Sequence, residues 1–130
     1  MLRRRQGNAI IEAAFVFPIL FLLLIGILET GRAWTDYNLL THAVREGARF
    51  AAVRPQLRIN DGAVLGRINS VLAMGGLRAQ RTAVIYTTPL QTGRLVRVHA
   101  EIDFIPLVSG LLPWGAVIPI RTEVITRYEV

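Results

Sequence analysis

The chain has no cysteine, no lysine and only two histidines. Without cysteine there is no disulfide framework, no CxxC redox pair and no thiolate metal site. His42 and His99 stand alone, with no HxxxH spacing and no carboxylate pattern that would complete a metal centre. Serine is scarce too: Ser70 and Ser109 are the only two, and neither sits in a nucleophile elbow. Acid is short against base, 9 residues to 15, for a net charge of +6. A cationic chain invites a nucleic-acid reading, but the arginines from Arg45 to Arg127 are scattered, and no zinc-finger, helix-turn-helix or RNP pattern goes with them. An all-arginine basic set fits base-composition bias as well as function. Nucleic acid, a small-molecule substrate, a cofactor and a metal are therefore not expected, and the chain does not read as an enzyme.

What is abundant is hydrophobicity, 52% of residues, and it is unevenly spread. From Ala13 to Leu28 run 16 residues without an ionisable side chain. With Ala9, Ile10 and Ile11 the stretch approaches the roughly 20 residues that cross a bilayer. Arg3, Arg4 and Arg5 precede it and predict a cytoplasmic N-terminus, with everything beyond about Arg32 on the other side. A membrane segment leaves about 85 to 95 residues, too few for a large enzyme core. Pro18 lies inside the segment, removes one backbone donor and can kink a helix, which membrane helices tolerate. Glu29 and Arg32, with Trp34 and Tyr37, mark the outer interface.

Helical spacing continues past the apolar run, through Tyr37, Leu40, Val44, Gly47 or Ala48, and Ala51, and no proline follows until Pro55. One helix from about Asn8 to Ala52, roughly 65–70 Å long, is expected. Asn60 and Asp61 read as the N-cap of a second, short helix carrying Val64, Leu65, Ile68, Val71 and Leu72, with Gly75 and Gly76 as its stop. Arg81–Thr88 is β-branched and aromatic. A second strand alternates Val96, Val98, Ala100, Ile102 and Phe104 against Arg97, His99, Glu101 and Asp103. A third sets Ile118, Ile120, Thr122, Val124, Thr126, Tyr128 and Val130 against Arg121, Glu123, Arg127 and Glu129. Solvated cross-strand pairs explain Arg97, Glu101 and Asp103 better than catalysis does. One-sided strands suit an antiparallel sheet with one wet face, and the two helices are the available cover for the other. The expected fold is α+β: a long N-terminal helix and a short second helix packed on a three-stranded antiparallel sheet.

Two further features leave alternatives open. Ala43, Gly47 and Ala51 recur every fourth residue, a spacing that lets another backbone come close. The partner is either the chain's own sheet or a neighbouring subunit, and Gly26 with Thr30 offers a similar seam inside the membrane. The segment from Leu107 to Trp114 holds Leu107, Val108, Leu111, Leu112 and Trp114, too apolar for a plain wet loop. Either it lids the sheet, or Leu111, Leu112 and Trp114 dock on the membrane or another subunit.

The N-terminal order is specific. After Arg3–Arg5 come Gly7, then Glu12 at the start of the apolar run, where a charge is expensive. A secretory signal explains the basic and apolar parts but not Glu12, and no A-x-A site follows. Gly7, Glu12, the apolar run with Pro18, Gly26, Gly31-Arg32, Asn38 and Arg45-Glu46-Gly47-Ala48-Arg49 together resemble the TadE-like family, pseudopilins or minor pilins of tight-adherence (Tad/Flp) pilus systems. The resemblance implies a pilin-like layout. Residues 1–7 would be a leader cut by a prepilin peptidase between Gly7 and Asn8, 8–31 the transmembrane half of the helix, and 32–130 the extracytoplasmic domain. It implies an inner-membrane protein, with partners among pilins, pseudopilins, platform proteins and lipid, and entry into the filament left open. It also implies that Glu12 neutralises the new amine of Asn8, in its own or a neighbouring chain. A single-pass scaffold or binding protein that never polymerises is the other expectation.

Overall fold

The structure, a computed structural model, describes residues 2–53, 61–87, 95–111 and 115–127. Helix α1 runs Leu2–Val53, α2 runs Asp61–Leu72, and strands β1 (Arg81–Thr87), β2 (Leu95–Phe104) and β3 (Ile118–Arg127) follow. The chain divides into two compact units, Met1–Arg32 and Ala33–Val130.

The first unit is the apolar part of α1. Its side chains from Ile10 to Leu28 are overwhelmingly exposed, Phe15 by 74% and Ile27 by 70%. α1 is long and apolar enough to cross a membrane, and no part of its most apolar stretch is buried within the chain. A helix that is hydrophobic on all sides needs lipid or other helices around it. The helix continues through Pro18. It also begins at Leu2 rather than near Asn8, because Leu, Arg and Gln at positions 2–6 are all good helix formers.

The second unit holds the core. Leu40, Ala43, Val44, Ala48 and Ala51 of α1, Val64, Ile68, Val71 and Leu72 of α2, and Val96, Val98, Ala100 and Ile102 of β2 form one buried cluster. The two helices and the inward face of the central strand thus cover one another, as a two-layer α+β fold requires. Tyr37, placed on the buried stripe by its spacing, is 40% exposed, so that stripe begins at Leu40. After α2 a 3-10 turn, Ala73–Gly75, leads to Gly76 at φ 72°, the left-handed stop that the Gly-Gly pair predicts.

The sheet order is β1-β2-β3, antiparallel throughout. β1 pairs from Arg81 opposite Glu101 to Thr87 opposite Leu95, and β2 pairs with β3 from Leu95 opposite Arg127 to Phe104 opposite Ile118. The expected alternation of β2 holds except at Glu101, which lies on the outer face yet is only 8% exposed. Arg121, opposite it on β3, covers it with an ion pair of 3.1 Å. Leu107–Leu111 form a further 3-10 turn, with Leu107 68% exposed. Leu112 and Trp114 of the proposed docking loop lie outside the described residues, as do the side chain of Leu111 and the predicted cap residue Asn60.

Candidate functional site

Residues 2–12 form the first turns of α1, so Arg3, Arg4, Arg5, Gly7, Asn8 and Glu12 stand on one continuous helix. Gly7 and Asn8 lie within it rather than in an extended leader. Four residues of helical rise, about 6 Å, separate Asn8 from Glu12 and place them on the same face. The Glu12 side chain is exposed, and among the described residues it has no hydrogen bond or ion pair.

Further along the first unit, Phe17 and Phe21 stack with ring centroids 6.4 Å apart. Leu22, Leu23, Gly26, Ile27 and Thr30 line a shallow apolar groove. Nothing lies within 4 Å of where a Gly26 Cβ would be. The Thr30 hydroxyl donates to the Gly26 carbonyl at 2.8 Å, so the groove presents no unpaired donor to lipid or to another helix. Arg32 pairs with Glu29 at 3.4 Å. In the second unit the Trp34 and Tyr37 rings lie 6.1 Å apart, and both are exposed. Aromatic and charged side chains just beyond an apolar run are the usual anchors of a membrane–water boundary.

The Arg45–Arg49 segment does a different job. Arg45 and Arg49 are exposed, whereas Gly47 and Ala48 are buried. A Cβ on Gly47 would meet Ile68 Cγ1 at 2.6 Å and Cδ1 at 2.9 Å, so only glycine lets α2 come this close. Beside it Arg67 donates to Glu46 at 2.7 Å and ties α2 to α1. That hydrogen bond holds the Glu46 carboxyl below the usual glutamate range; partial burial pushes the other way, and the charges of Arg67, Arg49 and His42 add to the lowering. Ala43, Gly47 and Ala51 are all buried within their own unit, but at Gly47 the close neighbour is α2, not the sheet expected. Sequence reading missed the Glu46–Arg67 clamp, since its partners are 21 residues apart and no local pattern links them.

The outer sheet face carries rows of charge. Arg97 pairs with Glu123 at 3.2 Å, and Arg121 with Glu101. His42 is exposed and His99 half-buried on separate elements. The described residues contain no group of three or more His, Asp or Glu placed to hold a metal ion. The Ser70 hydroxyl donates to the Arg67 carbonyl as a helix surface residue does, at 2.7 Å. Residues 7–49 match the family model described as TadE-like protein. No curated protein and no solved structure matches the chain.

Proposed function

We propose that this chain, TadE-like over residues 7–49, is a minor pilin or pseudopilin of a Tad-type pilus, held in the inner membrane by residues 8–31 and assembled through α1. The family match supports a pilus-related role, and the exposed apolar helix supports membrane anchoring. The observation that carries the finer reading is Glu12: an exposed carboxylate, unpaired among the described residues, at the head of an apolar helix and one turn beyond Asn8.

Cleavage by a prepilin peptidase after Gly7 gives that carboxylate its partner. The new α-amine of Asn8 lies on the same helix face, one turn away. Two charges next to lipid are far less costly as a pair than singly. Gly7 also suits the cut: the helix must open locally to enter a protease, and glycine gains the most backbone freedom when it does. The discarded segment takes Arg3–Arg5 and no acid, so the mature chain loses three positive charges that served orientation. Lipid contacts of the apolar helix are then exchanged for helix contacts in the filament, with Glu12 setting the register against a neighbour's amine.

Mass spectrometry of the protein extracted from its native membrane tests this. The expected mature terminus is Asn8, and an intact Met1 or Leu2 terminus overturns the processing step. One observation favours a second reading, a single-pass scaffold that never polymerises: the small-residue stripe at Ala43, Gly47 and Ala51 is already buried in its own unit. Pull-down after mild crosslinking separates the two. Recovery of pilins or pilus platform proteins supports assembly, and recovery of neither supports the scaffold.

A further inference from the structure

Among the described residues the sheet ends on an open edge. In the order β1-β2-β3, β3 is an edge strand of ten residues. Its inward residues Ile120, Thr122, Val124 and Thr126 are only half-buried, and Ile118 is 50% exposed. Their partners on β2 — Ile102, Ala100, Val98, Val96 and, for Ile118, Phe104 — are all buried. A long, half-covered edge is a template for another strand, and proteins that keep one unpaired blunt it with lysine, bulges or inward charges. β3 has no charge on its inward face; its charged residues Arg121, Glu123 and Arg127 all lie on the outward face, and Pro119 stands near one end.

We propose that β3 pairs antiparallel with β3 of a second copy of this chain, centred on Thr122. Around Thr122 the strand is its own complement. With Thr122 opposite Thr122, Arg121 falls opposite Glu123, Ile120 opposite Val124, Ile118 opposite Thr126 and Pro119 opposite Ile125. Inward residues meet inward residues, and opposite charges meet across the seam. Other registers pair less of the strand or set like charges together: centring on Ile125 also brings Glu123 opposite Arg127 but pairs only residues 123–127, and centring on Ile120 pairs only residues 118–122 and brings no opposite charges together. Centring on Arg121 or Glu123 sets like charges directly opposite, and centring on Val124 sets Arg121 opposite Arg127. Centring between two residues turns one strand's inward face outward. The existing pairs Arg97–Glu123 and Arg121–Glu101 then join across the seam into one ionic row from each copy to the other. Pro119 costs one ladder hydrogen bond at each end of the pairing and none in its middle. β1, the other edge, has Arg81 as its only charge and no acid, so it cannot complement itself in this way.

The pairing stands on the sheet alone, independent of the proposed pilus role. A chain without cysteine makes the test direct. Thr122→Cys in the full chain, extracted in mild detergent and oxidised with copper phenanthroline, gives a covalent dimer, because opposed Cα atoms lie about 4.5–5.5 Å apart in such a ladder, within disulfide reach. Thr126→Cys stays monomeric, since the two copies of that position lie about 26 Å apart along the strands. Should Thr122→Cys misfold, a mixture of Ile120→Cys and Val124→Cys chains carries the same test: together they crosslink, and neither does alone. No dimer from Thr122→Cys and none from the mixture, or as much dimer from Thr126→Cys as from Thr122→Cys, overturns the proposal.

Discussion

Gly47 shows how one absent atom decides a packing distance. The Ile68 side chain occupies the space its Cβ would need, at 2.6 Å, so a larger residue must displace Ile68 or push α2 off α1. Overpacking of this kind costs about 1–3 kcal/mol. Gly47→Val is therefore expected to lower the unfolding midpoint of the detergent-solubilised chain by that amount of stability. Gly66 supplies the control. It lies within α2, exposed, with nothing within 4 Å of a built Cβ. There alanine only improves helix propensity, so Gly66→Ala is expected to raise stability by about 0.5–1 kcal/mol. If both glycines respond alike in thermal unfolding, Gly47 is not a contact residue. Glycine spacing pointed to close approach at position 47; that Ile68 fills the gap is information only the fold contains.

At the scale of elements, much was legible because local periodicity is a direct image of burial. The Leu40–Ala51 stripe, the Val64–Leu72 stripe and the alternation of β2 each show which face is inward. Periodicity does not show how well a face is covered. β2 and β3 alternate equally well in sequence, yet β2 is sealed and β3 half-open, since the central strand is covered and the edge is not. Glu101 fails for the same reason: alternation places it outward, but Arg121 closes over it. The 3-10 turn at Leu107–Leu111 has no period of its own to read. The Glu46–Arg67 clamp joins α1 to α2 and makes their docking sensitive to pH. Its folded carboxyl titrates below its ordinary, unfolded value, chiefly because of the Arg67 hydrogen bond. Its contribution is thus full above the unfolded value and fades as pH falls through the folded one. Denaturation midpoints between pH 6 and about 3 are expected to fall more steeply for the native chain than for Arg67→Met, which returns Glu46 toward its ordinary range. Parallel slopes would mean that the clamp is not formed in solution.

At the scale of the whole molecule, the two units answer to different solvents. Among the described residues, every buried hydrophobic residue of the core lies between Leu40 and Phe104, and none lies before Arg32. The first unit exposes Phe15, Phe17, Leu22 and Ile27 with no cover of its own, so its stability comes from lipid or from neighbouring helices. The second unit has a closed cluster built from three elements, and at about 100 residues it is large enough to fold alone. The part of α1 that continues into it is held by its own stripe and by the contacts of Gly47 and Glu46. A chain beginning at Ala33 is therefore expected to be soluble without detergent and to unfold in one cooperative transition, with α1 residues 40–51 protected from amide exchange. Domains of this size hold about 5–15 kcal/mol, so even a modest dependence on the first unit would be visible. Aggregation, or a gradual transition with unprotected amides over 40–51, would show that the apolar helix or its lipid helps to build the domain. A protected core and a sharp transition would locate all of the folding information for the sheet and its helical cover after Arg32, leaving the first unit free to change its surroundings from lipid to helix without loss of the fold it carries.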